Sequence, residues 1–236
     1  MDIHKPKPWH GLREFLKEYA IIVVGVLTAL GAEQIAETLH WQEKVRHGEA
    51  QERLELSNVY STATERIHLE RCLDARLDTL AQALLAHDGP WTPLPLMNNG
   101  RLGEAAYEPP LRAWYEGVWN TLVADGTANH LAEQQELLYA GTYSEISLVR
   151  EWNRREVEEA EALSVLQHPT ELSRAERNAL VERIEQERGR NHMIALGSDQ
   201  LMQTIRRITT VDPNPSKQLL EGSPVIKACA RLGLPT

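Results

Sequence analysis

The stretch YAIIVVGVLTALGA, Tyr19 to Ala32, is the only long apolar run in the chain, and it decides which compartment the rest belongs to. As a helix its fourteen residues rise about 21 Å, short of the roughly 30 Å hydrocarbon core of a bilayer. The flanks make up the difference. Trp9, Phe15 and Tyr19 lie upstream and Trp41 downstream, in the manner of the aromatic belts at membrane–water interfaces. Lys17 near the start can extend its ammonium toward headgroups. The span then runs from 15 to 39, with Trp9, Phe15, Lys17, Tyr19 and Trp41 as interface anchors. Two other readings compete with it. Lys5, Lys7, Arg13 and Lys17 before an apolar run and Ala29-Leu30-Gly31 resemble a secretory signal. A buried helix of a soluble protein would be apolar all round, with only a small protein to cover it. A retained membrane anchor is the expectation.

Positive charge sets the orientation. Four Lys or Arg residues precede Tyr19, against Lys44 and Arg46 within fifteen residues after Ala32, which favours a cytoplasmic N-terminus. Residues 1–14 are expected in the cytoplasm and those from about 40 onward in the periplasm, for a chain of a bacterial inner membrane. Within the span, Gly25, Ala29, Ala32 and Ala36 follow one another at intervals of 4, 3 and 4, with Thr28 beside them. Such a strip of small side chains lets a second helix approach closely in lipid.

Composition restricts the remainder. Lys+Arg of 25 against Asp+Glu of 34 leaves a formal charge of -9, unsuited to a nucleic-acid partner. A single Phe and few β-branched runs argue against sheet, while Ala, Leu, Glu, Arg and Gln favour helix. The fold class is therefore all-α: one transmembrane helix continuing into an up-and-down four-helix bundle over 40–208, with an irregular tail over 209–236 packed on it. Val45, Val59, Ala63, Leu69, Leu73, Leu77, Leu80 and Leu84 trace the apolar face of a first helix reaching about Ala86, with Gly48 as the expected bend. The Pro/Gly/Asn-rich segment HDGPWTPLPLMNNGRLGEAAYEPP, 87–110, is a long loop whose Trp91, Leu94, Leu96 and Met97 can pin it to the bundle. LRAWYEGVWNTLVADG gives a short second helix with Trp114, Val118 and Leu122 inward. A third helix runs from about Leu131 to Leu166 through Leu138, Ile146, Val149, Val157, Ala160 and Leu163. Ser173 to Glu176 forms a capping box that opens a fourth, ending near Ile208.

Two cysteines, Cys72 on the first helix and Cys229 in the tail, invite a disulfide in an exported domain. It would hold the Pro-rich tail in place. Metal-site patterns lead nowhere coherent. Glu37/His40 and Glu65/His68 both match Glu-x-x-His but lie 28 residues apart on one helix, roughly 42 Å by helical rise. His130 and Glu133 have the reverse order. Phosphate-binding, nucleophile-elbow and dinucleotide motifs are missing from the sequence. The charge run REWNRREVEEAEA, Arg150 to Ala162, reads as a solvated helix face.

The stretches IIVVGVLTALGAEQ (Ile21 to Gln34), LHW (Leu39 to Trp41), RCLDARLDTL (Arg71 to Leu80) and VWNTLVADGTANHL (Val118 to Leu131) resemble a group of proteobacterial proteins that pair a short N-terminal hydrophobic segment with a helical domain. The resemblance covers about the first 140 residues. It implies a membrane-anchored helical protein and adds no catalytic residues. The expected function is non-enzymatic and cofactor-free: an accessory or scaffolding subunit of an inner-membrane complex, respiratory and photosynthetic assemblies included, or a homo-oligomer. Its partners would be lipid and other membrane subunits or itself. The alternatives are a periplasmic ligand-binding sensor and a bundle metalloenzyme.

Overall fold

The computed structural model describes residues 11–86, 89–98 and 103–236. Trp9, Lys5 and Lys7 lie outside the described residues. The described residues are mostly helical: α1 (Leu12–Ala86), α2 (Gly117–Ala124), α3 (Glu133–Ala162), α4 (Arg174–Ile208), α5 (Asn214–Gly222) and α6 (Pro224–Arg231). Strand among the described residues is one two-stranded antiparallel ladder, β1 (Met97–Asn98) with β2 (Glu104–Ala105), and an isolated bridge between Trp91 and Thr170. The chain divides into two compact units, Met1–His47 and Gly48–Thr236.

From Leu12 onward the described part of the first unit is helix. Leu12, Phe15, Tyr19, Ile21, Ile22, Val24, Leu27 and Leu30 are all exposed, and α1 carries an 18-residue window apolar enough to cross a membrane with none of it buried.

The second unit is built on the C-terminal part of α1 with α3 and α4. The expected apolar face is largely as read: Val59, Ala63, Leu69, Leu73, Leu77, Leu80 and Leu84 are buried, and Val45, in the first unit, is half-buried. Gly48 is no bend; α1 is helical through it. Its role is packing, because a Cβ there would sit 2.8 Å from Leu122 Cδ2.

The helix order departs from an up-and-down bundle. Contacts along α1 and α3 advance together, from Glu52 with Tyr143 to Arg66 with Glu156, so these helices are parallel. Against α4 they run oppositely: Tyr60 meets Arg206 and Asp74 meets Arg188. The segment 89–122 makes the return journey. Trp91 bonds the Leu166 carbonyl, Tyr107 reaches Glu156, Arg112 reaches Glu65, Glu55 meets the start of α2, and Leu122 lies at Gly48. Pro90, Pro93, Pro95, Pro109 and Pro110 explain why this return is mostly non-helical: each lacks an amide donor and pushes the preceding residue toward extended backbone. The second helix accordingly shrinks to Gly117–Ala124, and Trp114 is buried from a non-helical stretch.

Two further corrections concern helix ends and the tail. α3 stops at Ala162 and tightens into a 3-10 turn over Leu163–Gln167 before α4. The tail is not irregular. Proline in the first turn, which needs no amide donor, opens both α5 and α6, and the Ser223 hydroxyl caps α6 by accepting from the Ile226 amide at 3.4 Å. The capping box at α4 is as read, with Ser173 Oγ accepting from the Glu176 amide at 3.3 Å and the Ser173 amide donating to Glu176 at 2.8 Å.

α6 is joined to α1 by the Cys72–Cys229 disulfide across a separation of 157 residues. Both cysteines are fully buried among Leu69, Leu73, Trp91, Met97, Val225 and Ala228. In the chain-entropy account, closing so long a loop restricts the unfolded chain by about 5 kcal/mol. Cys229→Ser is expected to lower the unfolding free energy measured in urea by a large part of that amount, moving the midpoint down, while leaving the far-ultraviolet helical signal of α1, α3 and α4 in place; an unchanged midpoint would contradict a stapling role.

Candidate functional site

The small side chains expected to meet another helix all lie on α1 in the first unit. Gly25, Thr28, Ala29, Ala32 and Ala36 are exposed, and nothing stands within 4 Å of a Cβ built on Gly25. The Thr28 hydroxyl donates to the Val24 carbonyl at 2.7 Å, which satisfies it within its own helix. Among the anchors, Phe15 and Tyr19 stack one turn apart with ring centroids 6.3 Å apart, and Lys44 lies 5.0 Å over the Trp41 ring. Lys17 is exposed.

The second unit holds groups the sequence reading passed over. Between an apolar cluster around Leu56, Val59, Ile146 and Leu201 and another around Cys72, Leu77, Trp91 and Ile184 lies a buried polar layer. Arg66 donates to Glu156 at 2.8 Å and to Asn191 at 3.0 Å. Tyr107 donates to the same carboxylate oxygen at 3.1 Å, and Asn153 to its other oxygen at 2.9 Å. Trp114 completes the chain by donating to Asn153 at 3.2 Å. Arg66, Glu156 and Glu187 are fully inaccessible to solvent. The run Arg150 to Ala162 is thus only partly a solvated face: Arg154 and Arg155 pair outside with Glu151, whereas Asn153 and Glu156 point into the core. Beside the layer, Arg112 grips Glu65 with two nitrogens at 2.6 and 2.7 Å.

Nearer Gly48 lies a second cluster. The Tyr143 phenol oxygen is within hydrogen-bond reach of Glu52 and, at 2.9 Å, of Glu55. Glu55 also accepts from the amides of Gly117 and Val118 at the start of α2, at 3.1 and 3.2 Å, a favourable place for a carboxylate. One phenol proton serves one carboxylate at a time: pointed at Glu52 it favours that group's charged form, and turned to Glu55 it leaves the Glu52 contact to be completed by a proton on Glu52. Burial pushes Glu52 up to about 7, the bond from Tyr143 opposing the rise and the Glu55 charge adding to it. Trp119 stacks on Tyr143 and Tyr139, with centroids 5.8 and 5.9 Å away, and covers this cluster.

Among the described residues there is no group of three or more His, Cys, Asp or Glu placed to hold a metal ion. Glu65 faces Arg112, so the Glu65/His68 pattern is spent on an ion pair. What the two polar clusters can do is fix helix register and take up protons. The chain matches no known family model, no curated protein and no solved structure.

The proton uptake has a definite sign. Burial also lifts Glu187 to about 8, the Glu156 charge adding to the rise and Arg190 opposing it. Both carboxyls sit above their ordinary 4.5 in the folded chain, so their contribution to stability is complete below that value and lost as pH rises through 7 and 8. Glu151 and Glu176 are shifted the other way and act only in more acid solution. Thermal unfolding is expected to show higher stability near about pH 5.5 than near about pH 8, by on the order of 2 kcal/mol per group. Glu52→Gln and Glu187→Gln should each flatten the profile, and a slope unchanged in the double variant would refute the assignment.

Proposed function

We propose that the chain is a single-pass inner-membrane protein that works by interaction, as an accessory or scaffolding subunit of a larger membrane complex or as a homo-oligomer. Its N-terminus lies in the cytoplasm and residues from about 40 onward form a periplasmic helical domain. The observation that carries the reading is the uncovered apolar length of α1: Ile21, Ile22, Val24, Leu27 and Leu30 are each more than half exposed. Water-soluble proteins seldom leave an apolar surface of this extent unoccupied, and a bilayer is the solvent that suits it.

Three features support the rest. Interface residues bracket the run, with Phe15, Lys17 and Tyr19 at one end and Trp41 with Lys44 at the other. The buried Cys72–Cys229 bond is the kind made in an oxidising compartment such as the periplasm. The open strip of Gly25, Ala29, Ala32 and Ala36 offers a close approach to a second helix, and small residues of this kind drive association where lipid removes the hydrophobic driving force. Energy-transducing complexes are hosts of the appropriate type.

The expected result is that the full chain stays in the membrane fraction after alkaline carbonate washing, whereas a variant lacking residues 11–40 does not. Purified in mild detergent, it should migrate as an oligomer or bring other membrane subunits with it, and Gly25→Leu with Ala29→Leu should weaken that association by about tenfold or more. Release by carbonate would defeat the anchor, and a lone monomer would defeat the interaction role.

A further inference from the structure

α2 is a short helix closed over two carboxylates of α1. Its eight residues, GVWNTLVA, carry no ionisable side chain. Beneath it Glu52 is fully buried; its Oε2 meets the Tyr143 phenol, and its Oε1 has no hydrogen-bond partner among the described residues. Glu55 lies 2.9 Å from the same phenol and accepts from the amides that begin α2 at 3.1 and 3.2 Å. One carboxylate thus anchors the cover and shares a proton donor with the group beneath it. Trp119 of α2 stacks on Tyr143 and Tyr139, and Leu122 occupies the space that Gly48 leaves. The other charges nearby come from each packed element. α1 brings Glu49, bonded to Gln135 of α3 at 2.6 Å, and the exposed Arg53. Glu116, just before α2, pairs with Arg150 of α3 at 2.6 Å. From α4 the enclosing cluster receives apolar Leu201, Met202, Ile205 and Ile208, while Arg206 is bonded to Tyr60.

With a proton, Glu52 is neutral under this cover and the phenol is free to serve Glu55. Ionised, Glu52 draws the phenol to itself and sets a second negative charge one turn from Glu55. A charge in so dry a place is relieved by water, and water enters where the structure yields most easily. α1 and α3 are locked together through Arg66 and Glu156. α2 is different: it has only about two turns, follows a non-helical stretch, and is succeeded by Gly126 with a left-handed φ of 81°. We propose that α2 is a proton-governed flap, closed while Glu52 holds a proton and lifted from α1 and α3 once Glu52 ionises. Lifting admits water to both carboxylates and uncovers the Tyr139 and Tyr143 rings. Burial holds Glu52 near 7 in the closed state, whereas in the open state it returns to its ordinary 4.5. The closed state is therefore favoured fully below 4.5, and that advantage is lost as pH rises through 7. Every group involved belongs to the second unit, so the inference stands apart from the membrane reading.

Amide hydrogen exchange of the full chain in mild detergent tests it, read by mass spectrometry and corrected for the intrinsic pH dependence of exchange. The opening constant of α2 is expected to rise about tenfold from about pH 6 to about pH 8.5. At both ends it should exceed that of the buried stretch 69–84 by on the order of a hundredfold, as a local opening does. Glu52→Gln should remove the rise, whereas Glu187→Gln, in the polar layer around Arg66, should leave it in place. Tyr143→Phe keeps both carboxylates and removes the bond that favours the charged form of Glu52, so it should carry the rise to higher pH before it levels. That variant decides the matter if Glu52→Gln does not fold. No rise in the unaltered chain would overturn the proposal, as would an α2 opening constant equal to that of 69–84. So would a rise that survives Glu52→Gln, one lost in Glu187→Gln, or one unmoved by Tyr143→Phe.

Discussion

Arg66 heads the fully buried side chains of the second unit by size, and its pairing with Glu156 is the constraint the surrounding structure obeys. A charge removed from water is tolerable only with a partner and hydrogen bonds in good geometry. Arg66 Nη2 answers that demand by fixing α1 against α3 through Glu156 and α1 against α4 through Asn191, while Nε and Nη1 stay buried without hydrogen-bond partners among the described residues. Asn191 also donates to the Glu70 carbonyl at 2.9 Å, which holds its amide the right way round. Tyr107 and Asn153 fill the remaining acceptor positions of the carboxylate, so the returning segment is tied to the same point. A slip of α1 by one turn along either neighbour would place Arg66 among aliphatic side chains. The apolar clusters on both sides supply the stabilising area, and the polar layer supplies the register.

The returning segment shows how proline content can set topology. With Pro90, Pro93, Pro95, Pro109 and Pro110 spread through it, a long second helix is not available, yet the chain must travel back along α1 before α3 begins. Its described parts do so mostly outside helix, inserting apolar side chains into the core and attaching through polar ones. Trp91, Met97, Tyr107 and Trp114 are buried along it, and Arg112 is clamped to Glu65. The result is three long helices with α1 and α3 parallel. Short links alone would have made consecutive helices antiparallel.

Much of this was legible in the residues, for physical reasons that can be named. The 3.6-residue spacing of Leu69, Leu73, Leu77, Leu80 and Leu84 places α1's buried face, and Ser173 with Glu176 marks the start of α4 by chemistry local to one turn. The cysteine pair was readable because two is a small number. The buried charges were not picked out, although a signal exists: Glu52, Val59, Arg66, Leu73 and Leu80 are spaced by seven, so two charged residues occupy positions of the buried stripe. Averaged into the charge of a long acidic helix, they look like surface. In Arg150 to Ala162 the same thing happens to Asn153 and Glu156, whose partners come from distant parts of the chain. The two tail helices were missed because prolines were taken as breakers, when at the first turn they are starters.

The distances along the chain between partners carry a consequence for how the protein is made. Cys72 waits for a residue 157 positions later, and Arg66 for partners 90 and 125 positions later. As the chain leaves the ribosome, α1 emerges first, with a thiol, a guanidinium and the Glu52 and Glu65 carboxylates all lacking the groups that will satisfy them. No intermediate length of chain has a complete core, since the polar layer needs α4 and the disulfide needs α6. Assembly of the second unit therefore waits until α6 has been made, and the interval before it is when a chaperone has most to hold.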